Sequence, residues 1–302
     1  MKGLSLLKDR RFLAGLLLLP LLLWTRPAGA AIPLDRKTMM PLSEVRPGMR
    51  GIGRTVFSGV KIETFGVRVI GVLPKENLGG ALILVRMDGG PITGRQANII
   101  GGMSGSPVYI NGRLVGAVAY GQTFPREPIA MLTPIEDMLE ALDPALPQQL
   151  SRAEKKQAQA SLSRRLPQPV NISGKVYNQI DIRHASSGTA AGRDGVLEMA
   201  PLATPVSVSG ISERGMKQLS GVLSQFNAEP MAGPGGISYP KPITLEPGSS
   251  VGASLITGDV DMTAVGTVTY RKGNQILAFG HPFLQMGAVD LPLTTAWVHD
   301  VF

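Results

Sequence analysis

A serine at position 104 sits among glycines, in Gly101-Gly102-Met103-Ser104-Gly105-Ser106-Pro107. Glycine reaches backbone conformations closed to other residues, so such a loop can turn sharply, project one hydroxyl and converge its N–H groups. Nucleophilic catalysis at serine asks for an exposed Oγ and for backbone donors aimed at the oxygen where negative charge develops. The donors in this loop would be the N–H groups of Gly102 and Ser104. A serine nucleophile also needs a base, and the chain holds three histidines, His184, His281 and His299. His184 lies in the polar stretch Asp181-Ile-Arg-His-Ala-Ser-Ser-Gly188, with no framing strand, and reads as a surface residue. His299 lies in Val298-His-Asp-Val-Phe302, where nothing downstream can orient it. His281 follows an apolar strand (276–279) and a glycine, and Pro282 holds it from behind. That puts an imidazole at a strand end, where a base can be positioned rigidly. The carboxylates open to the orienting role are Asp88, upstream of the serine loop, Asp290, close after His281, and Asp259 or Asp261.

The serine loop runs on into a short strand, an Asn111-Gly112 turn and a second apolar strand, Leu114-Val-Gly-Ala-Val-Ala-Tyr120. This arrangement resembles the nucleophile loop of chymotrypsin-clan serine peptidases. It is most similar to that of the SpoIVB-type peptidases, the sporulation-signalling serine proteases and their exported bacterial relatives. Two stretches carry the resemblance. One runs from Gly51 to Leu139 and contains Gly-Met-Ser-Gly-Ser-Pro. The other runs from Pro247 to Trp297 and contains Gly266-Thr-Val-Thr-Tyr270 and Ala278-Phe-Gly-His-Pro-Phe283. The resemblance implies a serine endopeptidase with a regulatory or self-processing task, in which Ser104 is the nucleophile and the amides of Gly102 and Ser104 form the oxyanion hole. A Gly-His after a Gly-Thr-x-Thr strand carries the family's catalytic histidine, which implies His281. The family's acid lies shortly upstream of its serine loop, which implies Asp88. The order departs from the family, whose members run histidine, acid, serine. Triads are defined by geometry and not by chain order, so the departure leaves activity open and asks whether the two stretches close over one cleft.

The elements that must position these residues read as strands. High glycine and proline with few aromatics favours short strands and tight turns. Strand patterns cover 51–57, 61–72, 81–86, 251–256, 262–270 and 275–279, with Ile62, Phe65, Val67, Val69 and Val72 as candidate core positions. Helical spacing appears at 135–142 and at 212–226, the latter through Met216, Leu219, Val222, Leu223 and Phe226. Residues 31–47 read as an arm leading into the fold. The fold class expected is mostly β: a chymotrypsin-like two-half β-barrel with a small α-containing insertion, incomplete at the C-terminus, since the chain stops on apolar residues soon after His281. The organisation expected is a signal peptide at 1–30, a serine-bearing β half at 31–143, a basic polar linker at 144–170, an α/β insertion at 171–242 and a histidine-bearing β half at 243–302.

The signal peptide rests on the basic start (Lys2, Lys8, Arg10, Arg11), a leucine-rich core and Ala28-Gly29-Ala30. It implies export to the periplasm, the cell envelope or the outside; an uncleaved anchor would leave the protein at a membrane surface. The segment holds five basic residues and one acid, so its removal takes the net charge from +8 to +4, a poor case for a nucleic-acid partner. With no cysteine and scattered histidines there is no metal-ligand set, and no cofactor is expected. Gly233-Pro-Gly-Gly236 lacks the following Lys-Ser/Thr of a phosphate loop. The partner implied is a protein or peptide substrate, the chain itself included. The rival reading is a non-catalytic envelope binding or scaffold protein on the same β fold.

Overall fold

Strand alternation accounts for the architecture. The structure, a computed structural model, describes residues 32–75, 80–94, 99–122, 127–140, 142, 162–183, 193–234, 243–283 and 289–299. Strands β1 (Arg50–Val56), β2 (Ile62–Leu73), β3 (Leu82–Asp88), β4 (Pro107–Ile110), β5 (Arg113–Gln122) and β6 (Ile129–Pro134) form an antiparallel barrel. Their order is β1-β2-β3-β6-β5-β4, and β4 pairs back onto β1, closing the ring. The chain is therefore mostly β with a closed six-stranded barrel, consistent with the chymotrypsin-like fold. Along β3, Ile83, Val85 and Met87 enter the barrel interior with Phe65, Val67 and Leu132, while Leu82 and Leu84 face outward into a second apolar layer. That two-sided burial is why 81–86 reads as an unbroken apolar run and not as an alternating strand.

The outer layer comes from β7 (Leu162–Ile172), β8 (Lys175–Ile182) and β9 (Val196–Pro201), which extend the barrel sheet beyond β5 in the order β5-β9-β8-β7. Leu166, Val170 and Ile172 of β7 pack with Leu82 and Leu84. The segment read as linker up to residue 170 thus ends in a strand. Its polarity hid this, because a basic residue is spent inside: Arg164 is buried, and its guanidinium donates to the carbonyls of Gly80, at 2.8 Å, and Pro74. A register shift between Arg165 and Val170 absorbs Pro167 and Pro169, which cannot donate to a ladder.

A second sheet holds β10 (Thr204–Ser209), β11 (Ala228–Ala232), β12 (Ser250–Ile256), β13 (Asp261–Lys272) and β15 (Leu293–Thr295), in the order β11-β10-β13-β12-β15, with β14 (Gln275–Ala278) paired on β13. Residues 171–242 therefore divide between the two sheets: β8 and β9 belong to the extension of the barrel sheet, β10 and β11 to the histidine half. Helices α1 (Gly90–Gly94) and α2 (Ile135–Glu140) are short; α3 (Glu213–Leu223) is capped by Ser212, whose hydroxyl accepts from the Gly215 N–H at 3.3 Å. Met216, Leu219 and Leu223 of α3 pack toward β10 and β13, whereas Val222 and Phe226 of the expected helical face stay exposed. The expected arm is part of the core, since Ile32, Met39, Met40 and Val45 are buried and Met40 N–H donates to the Leu114 carbonyl at 2.9 Å. The signal segment and His184 lie outside the described residues, and among those described no helix is long and apolar enough to cross a membrane.

Candidate active site

The serine loop crosses from the barrel interior to β4. Met103 anchors it in the barrel core, and Gly102 and Gly105 take φ of 88° and 92°, values that favour glycine. Gly105 has a second reason to lack a side chain: a β-carbon there would stand 2.1 Å from the Thr267 carbonyl oxygen and 2.5 Å from the Phe279 nitrogen. The loop is thus pressed against both halves of the molecule. Its peptide groups are mostly committed. Met103 N–H donates to Ile100 O, Gly105 N–H to Val118 O and Ser106 N–H to Met103 O. From Gly102 to Ser106, the N–H groups of Gly102 and Ser104 are the two that find no acceptor among the described residues. These are the two donors an oxyanion would use.

The loop's carbonyls are held from the other half. Thr267 N–H donates to Ser104 O at 2.9 Å, Thr267 Oγ1 to Gly102 O at 2.8 Å, and Thr269 Oγ1 to Gly105 O at 2.6 Å. Positions i and i+2 of a strand share a face, so the alternating threonines of β13 clasp the serine loop together. Nothing in the residue types of Gly266-Thr-Val-Thr-Tyr270 assigns these hydroxyls a task beyond the strand; the threonines' period of two is the one signal of it. Gly266 has its own part, because a β-carbon there would lie 2.6 Å from the Phe279 ring.

That ring leads to the histidine. After β14 the chain turns through two consecutive left-handed residues, Phe279 at φ 66° and Gly280 at φ 67°. For a bulky residue such as Phe279 this costs on the order of 1–3 kcal/mol, and the surroundings must enforce it. The enforcement is visible. Phe279 N–H donates to Thr267 O at 3.3 Å, the Phe279 and Phe283 rings stack 5.5 Å apart, and Thr133 Oγ1 donates to Gly280 O at 2.6 Å. A β-carbon on Gly280 would stand 2.7 Å from Val118 O and 3.3 Å from the Gly105 nitrogen. The turn carrying His281 therefore rests on the loop carrying Ser104. The two stretches do close on each other.

His281 Nδ1 lies 3.0 Å from the Pro282 carbonyl oxygen. A carbonyl can only accept, so as a hydrogen bond this contact calls for the proton on Nδ1, the tautomer in which Nε2 could serve as a base. Nε2 is buried without a hydrogen-bond partner, although the residue keeps some exposed surface. Burial holds the imidazole pKa below its ordinary value; the Pro282 and Leu202 carbonyls oppose that shift, the latter without a hydrogen bond of normal geometry. Ser104 is 0% exposed, and its Oγ likewise has no hydrogen-bond partner. Buried hydroxyls are nearly always paired, yet Ser104 Oγ is not hydrogen-bonded to His281 here, and the neighbouring Ser106 Oγ is buried without a partner as well.

The expected acid is not joined to this pair. Asp88 ends β3 exposed, opposite Gly66, whose β-carbon would meet its carboxylate oxygen, and no hydrogen bond connects it to His281. The Pro282 carbonyl takes the Nδ1 contact instead. His299 is exposed next to Val298, which bridges to Gly59. Asp259, Asp261 and Asp290 make no hydrogen bond to His281 either, and no group of three or more potential metal ligands occurs among the described residues.

The family model described as SpoIVB peptidase S55 matches residues 35–126. No curated protein and no solved structure gives a match. The matched stretch holds the barrel strands β1 to β5 and the whole serine loop, and at this level it is that of a serine peptidase. The β13 clasp and the His281 turn lie outside it. Over that stretch, which is less than half of the chain, the sequence is similar to the SpoIVB-type serine peptidases.

Proposed function

We propose that this chain is an exported serine endopeptidase of narrow, regulatory or self-processing scope, working through a Ser104–His281 pair. The observation that supports it is that the His281 turn packs on the serine loop, Gly280 against Gly105, with the Gly102 and Ser104 N–H groups without acceptors on one side and a buried, unpartnered His281 Nε2 on the other. In the reaction His281 Nε2 accepts the Ser104 proton as Oγ attacks a peptide carbonyl. The N–H groups of Gly102 and Ser104 stabilise the oxyanion, and the imidazolium then returns its proton to the leaving amine. The Pro282 carbonyl sets the tautomer. Asp88, the acid of the expected triad, enters only if the site rearranges to bring it to Nδ1.

The test is hydrolysis of a mixed peptide library, read by mass spectrometry, with wild type beside Ser104→Ala and His281→Ala, all confirmed folded by circular dichroism. The reading expects cleavage by wild type that falls by about 10³-fold or more in both variants, in line with loss of a nucleophile or its base. Equal cleavage by Ser104→Ala would end it. The non-catalytic alternative is favoured by one observation, the complete burial of Ser104, and cleavage dependent on Ser104 would dispose of it.

A further inference from the structure

A segment of the chain itself lies against the serine loop, with Ala203 O and the Pro205 ring next to Gly101. One edge of β5 is occupied in sequence by three partners. β4 pairs with it as far as Ala117. At Val118 the serine loop takes over, with Gly105 N–H donating to Val118 O and Val118 N–H to Ser106 O. Immediately beyond, Leu202 N–H donates to Ala119 O at 2.9 Å, and the chain runs antiparallel along β5 with Pro201 opposite Tyr120, Ala200 opposite Gly121 and Met199 opposite Gln122. An extended peptide therefore lies on the strand edge that continues straight out of the serine loop.

Its side chains are seated. Leu202 is 7% exposed and packs in the barrel cluster with Met103 and Ile99. A β-carbon on Gly121 would come 2.9 Å from Leu202 Cδ2 and 3.8 Å from Ile99 Cγ2, so the missing side chain at Gly121 is the space the leucine fills. Ala203 continues over the loop, its carbonyl oxygen 2.9 Å from where a β-carbon of Gly101 would be. The Leu202 carbonyl is also one of the two that act on the His281 ring. Yet this carbonyl is not engaged by the serine loop. Asn227 Nδ2 donates to Pro201 O and to Leu202 O, at 3.0 Å each, while Gly102 N–H and Ser104 N–H are left without acceptors. Asn227 is fixed for this task, since its own carbonyl accepts from Thr204 N–H at 2.9 Å.

We propose that Pro201–Ala203, where the chain runs on beyond its pairing with β8, is a built-in occupant of the peptide channel. The channel takes a substrate as an antiparallel strand on the β5 edge, with a leucine-sized aliphatic side chain against Gly121 and Ile99, and it opens when this segment leaves. The proposal rests on the serine peptidase reading of the site and adds its substrate class and its regulation. The segment presents a peptide in substrate-like fashion, while Asn227 holds its carbonyls off the oxyanion donors, so it blocks the site instead of being cut there.

The experiment separates occupancy from catalysis. In the Ser104→Ala background, binding of a fluorescein-labelled peptide copying residues 199–205 is measured by anisotropy for the parent, for added Asn227→Gly, and for added Leu202→Ala. Glycine tolerates the φ of 53° at position 227 while removing both carbonyl contacts. Each added change is expected to tighten binding about tenfold or more, the equivalent of about 1.4 kcal/mol, and a copy with aspartate in the leucine position should not bind. In the Ser104 background the same two changes should speed modification of Ser104 by a serine-directed phosphonate by a similar factor. Identical binding in all three proteins, or none in any, would overturn the proposal whatever the labelling shows. Tightened binding without labelling of Ser104 would keep the occupant and remove the peptidase reading, and labelling at one rate throughout with no peptide binding would do the reverse.

Discussion

Replacing Thr267 by valine keeps the shape of the side chain and deletes only the hydroxyl that donates to Gly102 O at 2.8 Å. Thr267 is 2% exposed, but Gly102 is half-buried, so water replaces the lost donor at most in part. A carbonyl left short of its donor in this way should cost about 1 kcal/mol, the low end for an unsatisfied group. At roughly 2–4 °C of Tm per kcal/mol for a protein of this size class, the melting temperature should fall by a few degrees. The strand itself should survive, because Thr267 N–H still holds Ser104 O and β13 keeps its pairings with β10 and β12. The peptide between Gly102 and Met103 is the one set loose, and with it the oxyanion donors that flank it. Loss of one such donor costs on the order of 10²–10³ in kcat, and a loosened donor should cost about 10². KM for a peptide should move much less, since the β5 edge is untouched. The assay is steady-state hydrolysis of a peptide ending in leucine at the cut, with thermal melts on the same samples. Thr267→Ser should restore both, and Thr267→Val/Thr269→Val should fall short of the sum of the single effects, because both hydroxyls clasp one loop. A valine variant with unchanged kcat, or with kcat lost and not recovered by serine, would refute the clasp.

The other expectations concern the histidine turn and its surroundings. His281 has a pKa below its ordinary value through burial, so kcat/KM should hold on the acid side to below about pH 6.5 before the base protonates. The same shift bears on stability. The unfolded chain binds the proton more tightly than the folded one, so the contribution of neutral His281 is fully present above about pH 6.5 and is lost as pH falls through the lower folded value; His281→Ala should flatten that limb of a denaturant-midpoint titration. Asp88→Asn should change kcat/KM by less than about tenfold, whereas an asparagine in place of an acid that truly orients the base would cost about 10⁴. Gly280→Ala should abolish activity and lower stability, because it adds a side chain at φ 67° and 2.7 Å from Val118 O; kcat and Tm of that variant check it.

Much of this was legible in the sequence, and what was not has physical causes. The serine loop announced itself because glycines at 102 and 105 answer a backbone need that nothing else explains. The barrel strands were visible where they bury one face or both, as in β2 and β3. β7 was not, because its core residues are interrupted by Pro167 and Pro169 and by an arginine whose charge is satisfied by backbone carbonyls; such pairing is set by partners far away in the chain. His281 could be singled out by its strand-end position. The contact of its Nδ1 with the Pro282 carbonyl could not be foreseen, since a backbone carbonyl carries no residue-type signature, while Asp88 stood in the right part of the sequence and makes no hydrogen bond to His281. Residues 199–205 gave no sign of their place: Met-Ala-Pro-Leu-Ala-Thr-Pro is an ordinary apolar stretch until β5 offers it an edge.

The most direct measurement is mass-spectrometric mapping of a fluorophosphonate adduct on the folded protein, beside Ser104→Ala and His281→Ala. The account predicts a single adduct on Ser104 in the wild type, none in Ser104→Ala, and formation slowed by about 10²-fold or more in His281→Ala, the worth of a general base. An adduct on another residue, or the same rate with and without His281, would contradict it.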